Sequence, residues 1–422
     1  MLNRTAAPPI YDIRNLRLPR PRVVHLDNGI PVYVLDVPEP DIVKIEAVYR
    51  AGRPEERKRL AARATTRLLR EGTQGRAGAD IAEMFDYYGG SLATPSSLDT
   101  ANIVLLSLKK YAAELLPVFA EVLQEPVFPE VELETFRRTN LQELQVELEK
   151  AEIVAYRQIT EVIFGADHPY GYNSVAADYP ALQTADLRQH FEAWYTPANC
   201  QLFASGRIDD TMLQLLNQHL GQNKRRGLAP DFQSAVADLR PAKVKIVQPG
   251  SLQTAVRVGR RMFPRRHPDF NGMFVLNTIL GGYFGSRLMT NIREKKGYTY
   301  NIYSTLDAML HDGCFYIATE VNSNKASATL RQIMAELKKL REQPVDDQEL
   351  AMVRNYLLGM LLNGLDGPLN ASELVRSILV EGLPWESFEE TVEAIRMITP
   401  MQLQSLAQRY WQPDDLWTVL VG

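Results

Sequence analysis

The feature that most limits what this chain can fold into is that it carries the same plan twice. AAELLPVFAEVLQEPVFPEVELETFRR runs from Ala112 to Arg138, and ASATLRQIMAELKKLREQPVDDQELAMVRN from Ala326 to Asn355. Each reads as a helix, a Pro-Val break with acidic N-cap candidates, and a second helix with a late Arg. Pro126 and Pro344 correspond, 218 residues apart. The preceding segments, GGSLATPSSLDTANIVLLSL and GYTYNIYSTLDAMLHDGCFYIATEV, both start at Gly, hold a Leu-Asp midway and read as β-hairpins. IPVYVLDV and VKIEAVYRAG alternate as strands do, and Asp27-Asn28-Gly29 supplies turn residues before the first. That antiparallel start disfavours a doubly wound nucleotide fold. The expectation is an α+β chain of two homologous domains, each a mainly antiparallel sheet covered by helices. The boundaries fall at 1–22 for an extended Pro-rich arm, 23–220 and 244–422 for the domains, and 221–243 for a polar linker.

The 422 residues suffice for two sizeable cores. At 45% hydrophobic and 23% charged the composition is ordinary for a globular protein. A net charge of -4 and a pI near 6.0 lack the basic footprint that nucleic acid or an anionic membrane requires, so neither is expected as a partner. Cys200 and Cys314 are too few and too far apart for a disulfide framework or a Cys-x-x-Cys clamp. With no signal-like apolar core in MLNRTAAPPIYDIRNLRLPRPR and no apolar run long enough to span a bilayer, a cytoplasmic setting is expected.

Six histidines, His25, His168, His190, His219, His267 and His311, are never closer than 22 residues. No helix turn can therefore hold the two-histidine pair on which helical zinc peptidase sites depend. In LAARATTRLLREGT and the arginine just before it, Arg59, Arg63, Arg67 and Arg70 fall on one helical face and Leu60, Ala64 and Leu68 on another. This is a solvated basic face over a core stripe, or a surface for acidic groups of another chain; either way the guanidinium row repels a divalent cation. GGYFGSRL lacks Gly-Lys-Ser/Thr and Gly-x-Gly-x-x-Gly, and reads as a turn opening a helix. REKKGYTYNIYS reads as that helix's basic end, a Gly297 cap, and a strand with Tyr298, Tyr300 and Ile302 on one face. No Gly-x-Ser-x-Gly or catalytic-cysteine context is present.

Taken in order, LDNGIPVYVL, AGRPEE, REGT, YYGGSLATPSSLDT, FGADHPYGYN, WYTPANCQLFASGRID and LGGYFGSRLMTNIREKKGYTY resemble the insulinase/pitrilysin (inverzincin) metallopeptidases. Within that family the chain is similar to the half-length subunits of the mitochondrial-processing-peptidase type, over nearly its whole length after about residue 22. Alignment on Gly72-Thr73 puts Arg63, Ala64, Thr65, Thr66 and Arg67 where the family has His-x-x-Glu-His, with Glu143 or Glu147 in the region of the third ligand. The resemblance therefore implies that this chain holds no metal or other cofactor, and that zinc is carried by a homologous partner subunit. Arg293 and Tyr300 match the family's substrate-contacting Arg and Tyr, whose roles are to hold backbone oxygens and to donate to the oxyanion. Gly90, Ser91, Leu92, Ala93 and Thr94 would offer an edge strand to a peptide substrate. The implied function is that of a zinc-less subunit of a heterodimeric zinc peptidase, active only with its partner; an inactive homodimer stays open as the alternative state of the isolated chain. A second class is a non-catalytic assembly subunit similar to respiratory-complex core proteins. A third, an independent metallopeptidase with unconventional ligands, would require stoichiometric metal.

Overall fold

The computed structural model describes residue 13 and residues 15–37, 41–95, 97–232 and 239–422. The first sheet is built from β1 (Arg22–His25), β2 (Pro31–Asp36), β3 (Ile42–Tyr49), β4 (Ser91–Ala93), β5 (Ala101–Leu108) and β6 (Cys200–Gly206), in the order β1-β2-β6-β3-β5-β4. The second holds β7 (Lys243–Ile246), β8 (Gln253–Met262), β9 (Ile302–Ala308), β10 (Gly313–Asn322) and β11 (Trp417–Val421), in the order β7-β11-β8-β10-β9. Apart from β1 the two orders are the same permutation. Each contains one parallel pair, β2 with β6 and β7 with β11, and every other pairing is antiparallel. The duplicated α+β plan expected from the repeated Pro-Val break is present in the backbone topology.

The break itself forms for local reasons. Helix α3 (Ala112–Gln124) stops two residues before Pro126, and Ala326–Glu342 stops two before Pro344, because a proline cannot donate to the next turn. In the second copy Asp346 caps the following helix, accepting from the amides of Gln348 at 2.9 Å and Glu349 at 3.3 Å. In the first copy α4 (Glu130–Leu148) starts after Pro129 without a side-chain cap, and Glu130 and Glu132 in its first turn face the positive helix end instead.

The two halves exchange a helix. Helix α5 (Ala151–Phe164) follows α4 in the first half, yet its fully buried Ala155, Ile159 and Ile163 pack with Ala255 of β8, Tyr316 of β10 and Val419 of β11. Reciprocally, Val375 and Ile378 of the helix Gly367–Val380 share a core with Leu35, Val48 and Phe203 of the first sheet. The exchange also explains a pair of charges in β3. Lys44 and Glu46 are both buried, and the exchanged helix brings Glu373 to Lys44 and Arg376 to within 3.3 Å of Glu46. Lys44 and Glu46 also pair with each other at 3.3 Å, so the exchanged helix extends one buried ion pair into a network of four charges.

Of the Pro-rich arm, residues 1–12 and 14 lie outside the described residues; Leu16 and Leu18 are buried in the second half's core, and the carbonyl of Ile13 accepts from Arg396 at 2.8 Å. The polar stretch after residue 220 runs along the first half: Arg225 sits over the Phe191 ring at 4.5 Å, and the Leu228 amide donates to Ala193. Residues 233–238 of it lie outside the described residues.

Candidate functional site

Helix α1 (Ala61–Leu68) is where the lost motif would stand. It follows Leu60, whose positive φ of 71° turns the chain sharply into the helix. The Glu56 carboxylate accepts from the Ala62 amide at 2.9 Å, satisfying one orphan donor of the first turn. Burial pushes Glu56 up to about 7, against the hydrogen bond from Tyr172. Only two of the four arginines belong to the helix face. Arg59 lies before it, held by the Ala166 carbonyl and the Tyr172 ring; Arg70 lies after it, donating to the Leu92 carbonyl at 3.1 Å. The continuous basic row expected from spacing is thus shortened to Arg63 and Arg67, because the helix is only two turns long.

Thr66, which the resemblance would put at the general-base position, is 1% exposed; it donates to the Ala62 carbonyl and meets the Tyr195 hydroxyl at 2.8 Å. Tied into the core in this way, and lacking a carboxylate's proton affinity, it cannot act as a general base. Arg63 and Arg67 are exposed and line a cleft of about 480 Å³. Thr94 lines the same cleft, as do Glu132, Phe136, Asn140 and Glu143 from α4. A zinc ion does not fit this set, because two fixed cations replace the nitrogen ligands. No group of three His, Cys, Asp or Glu able to hold a metal occurs among the described residues. Two of the six histidines fill packing positions: His190 is buried against the Ala51 carbonyl at 3.0 Å and burial drops it to about 4, while His168 stacks on Phe164.

Edge strand β4 borders the cleft. Gly90 is there for packing: a Cβ would stand 2.7 Å from Leu115 Cδ1. Leu92 is buried and its carbonyl is already taken by Arg70, whereas Ser91 is exposed and Ala93 half-buried.

Arg293 lies in a helical stretch of π geometry, Met289–Lys295, capped by Gly297 at φ 60°. The expected strand does not include Tyr300: β9 begins at Ile302 and Tyr300 sits on the loop ahead of it. Side-chain hydroxyls hold that loop against β10, Thr299 donating to the Glu320 carbonyl at 2.7 Å and Thr319 to the Asn301 carbonyl at 2.8 Å. Arg293 Nε donates to the Tyr300 carbonyl at 3.0 Å, and its guanidinium lies 4.6 Å over the exposed Phe284 ring. Tyr300 is 94% exposed. Its hydroxyl makes no hydrogen bond among the described residues. Arg293 and Tyr300 together line a cleft of about 530 Å³ with Gln253, Glu320 and Asn322.

The structure therefore brings Arg63, Arg67 and Thr94 together, and separately Arg293 and Tyr300; the two clefts share no lining residue. Sequence reasoning missed Phe136 and Asn140 on the α4 wall and Phe284 beneath Arg293. The phase of α4 relative to Glu143 was the only available signal for the first two.

Residues 181–357 match the family model described as the peptidase M16 inactive domain. An uncharacterised zinc protease of Mycobacterium bovis is 26% identical over 348 residues, covering 81% of this chain and 79% of its own. The non-peptidase homolog YmxG of Helicobacter pylori is 26% identical over 368 residues, covering 84% and 82%. A peptidase M16 inactive domain from Pseudomonas fluorescens, solved by crystallography, superposes with a TM-score of 0.86 at 23% identity over 95% of this chain and 98% of that one.

Proposed function

We propose that this chain, whose residues 181–357 match the family model described as the peptidase M16 inactive domain, is a zinc-less subunit that completes the active site of a zinc-bearing partner. The observation that carries this reading is the Arg293–Tyr300 pair. The loop that carries Tyr300 is held by three hydrogen bonds, while the Tyr300 hydroxyl faces out with no partner among the described residues. A donor left unpartnered on a held loop is available to a charge that develops elsewhere. With Nε committed to the Tyr300 carbonyl, the Arg293 Nη groups remain for substrate backbone oxygens, and the Tyr300 hydroxyl for the carbonyl oxygen as it becomes an oxyanion. In the partner, a zinc ion on His-x-x-Glu-His would supply the activated water. The edge segment Gly90–Thr94, which includes β4, would pair with an extended peptide. No described helix is long and apolar enough to cross a membrane. We place the complex in the cytoplasm, with which two buried, unpaired cysteines accord.

Zinc content and peptide cleavage measured for this chain, for a His-x-x-Glu-His homologue and for their mixture test the proposal. Cleavage should rise on mixing and fall with Arg293→Ala in this chain. Full activity of the homologue alone, unmoved by either, refutes it. The name of the Helicobacter pylori relative, a non-peptidase homolog, favours a second reading as an assembly subunit. That reading expects a stable complex with a protein outside the peptidase family and no effect of Tyr300→Phe on any cleavage.

A further inference from the structure

We infer that the cleft between α1 and α4, vacated by the metal ligands, is a receptor for a peptide carboxylate. Arg63 and Arg67 stand one helical turn apart on the same face, both exposed and both lining the cleft. Neither makes an ion pair or hydrogen bond among the described residues, whereas their neighbours in sequence do: Arg59 reaches Ala166 and Arg70 reaches Leu92 and Glu71. A guanidinium offers five donors in a plane, and two of them a turn apart can flank one carboxylate from both sides.

The rest of the lining suits the body of a peptide. Leu68 and Phe136 give apolar contact, while Thr94 and Asn140 can hydrogen-bond an amide. About 480 Å³ accommodates a few residues of chain. Glu132 and Glu143 on the opposite wall lie beyond ion-pair distance from the arginines; no Arg–Glu pair within 4.0 Å crosses the cleft among the described residues. Glu71, which pairs with Arg70, also lines the cleft, so the three carboxylates disfavour an acidic peptide body and favour a neutral or positively charged one. The ligand is therefore a carboxylate on such a peptide, bound on the Arg63/Arg67 wall.

The inference does not depend on a partner subunit, and its test uses the full chain alone. Titration calorimetry compares acetyl-Ala-Phe-Leu with a free C-terminus, the same peptide as its amide, an amidated peptide with an internal glutamate, and inorganic phosphate. A carboxylate probe should bind at least roughly tenfold more tightly than the neutral amide, the ratio expected of charge-assisted hydrogen bonds. The free-acid and internal-glutamate probes tell a chain terminus from a side chain. Arg63→Gln with Arg67→Gln should abolish the preference, and Glu143→Gln should enhance it, opposite signs that a merely altered pocket shape would not give. All three side chains are on the surface, and an unchanged melting temperature verifies the fold of each variant. Equal affinity for acid and amide, tighter phosphate binding, indifference to the double arginine variant, or no binding below about 5 mM would each overturn it.

Discussion

Ile159→Ala should destabilise the second half of the molecule although Ile159 belongs to the first. Ile159 is fully buried on α5, in a cluster with Ala255, Tyr316, Val419 and Val421 of the second sheet. Truncating a buried isoleucine to alanine costs about 2–5 kcal/mol, through lost transfer energy and the cavity left behind. Val375→Ala, on the helix that the second half lends to the first sheet, removes less buried surface and should cost about 1–3 kcal/mol. Against a total stability of roughly 5–15 kcal/mol, either loss is large. Because each sheet is covered by the other half's helix, both substitutions should lower the midpoint of one shared transition. Urea unfolding followed by far-UV circular dichroism and by tryptophan fluorescence reads this out, since Trp385, Trp411 and Trp417 lie in the second half and only Trp194 in the first. Two separable transitions, with Ile159→Ala moving only the one reported by first-half signal, would refute the exchange as a source of coupling.

Thr66→Ala should cost about 1–3 kcal/mol, because it strips the buried Tyr195 hydroxyl of its partner; thermal unfolding checks it, and an unchanged midpoint would contradict the core role given to Thr66. Gly90→Ala should cost about 1–3 kcal/mol by forcing a methyl against Leu115, visible in urea unfolding, and a neutral result would return Gly90 to a substrate role. Burial, then the Asp99 charge, raises Glu55 to about 7, above its unfolded value, so its contribution is intact below about pH 4.5 and is lost as pH climbs through 7. The stability of the wild type relative to Glu55→Gln should accordingly fall by on the order of 3 kcal/mol across that window. Parallel stability curves would contradict the burial of an ionisable carboxyl there.

The duplication was legible in the sequence because proline leaves a mark that tertiary context cannot erase: Pro126 and Pro344 end their helices at equivalent places. The helix exchange was not legible. Ala155, Ile159 and Ile163 announce a buried face at helical spacing, but periodicity does not say which sheet receives it. Arg293 and Tyr300 entered as candidates through the order of family landmarks, and they line one cleft, while the local pattern alone misplaced Tyr300 in a strand. The hydroxyls of Thr299 and Thr319, which capture backbone carbonyls, override the β-propensity of that segment. The basic face of four arginines was misjudged for a similar reason, since helical spacing in sequence does not show that the helix starts only after Leu60.

The central claim, that this chain supplies the oxyanion donor to a partner's zinc site, is tested most directly by the kcat of peptide cleavage in a reconstituted complex carrying Tyr300→Phe. Loss of one preorganised donor should lower kcat by roughly 10²–10³ while the complex and its zinc content stay intact. A kcat equal to that of the wild-type complex would contradict the claim.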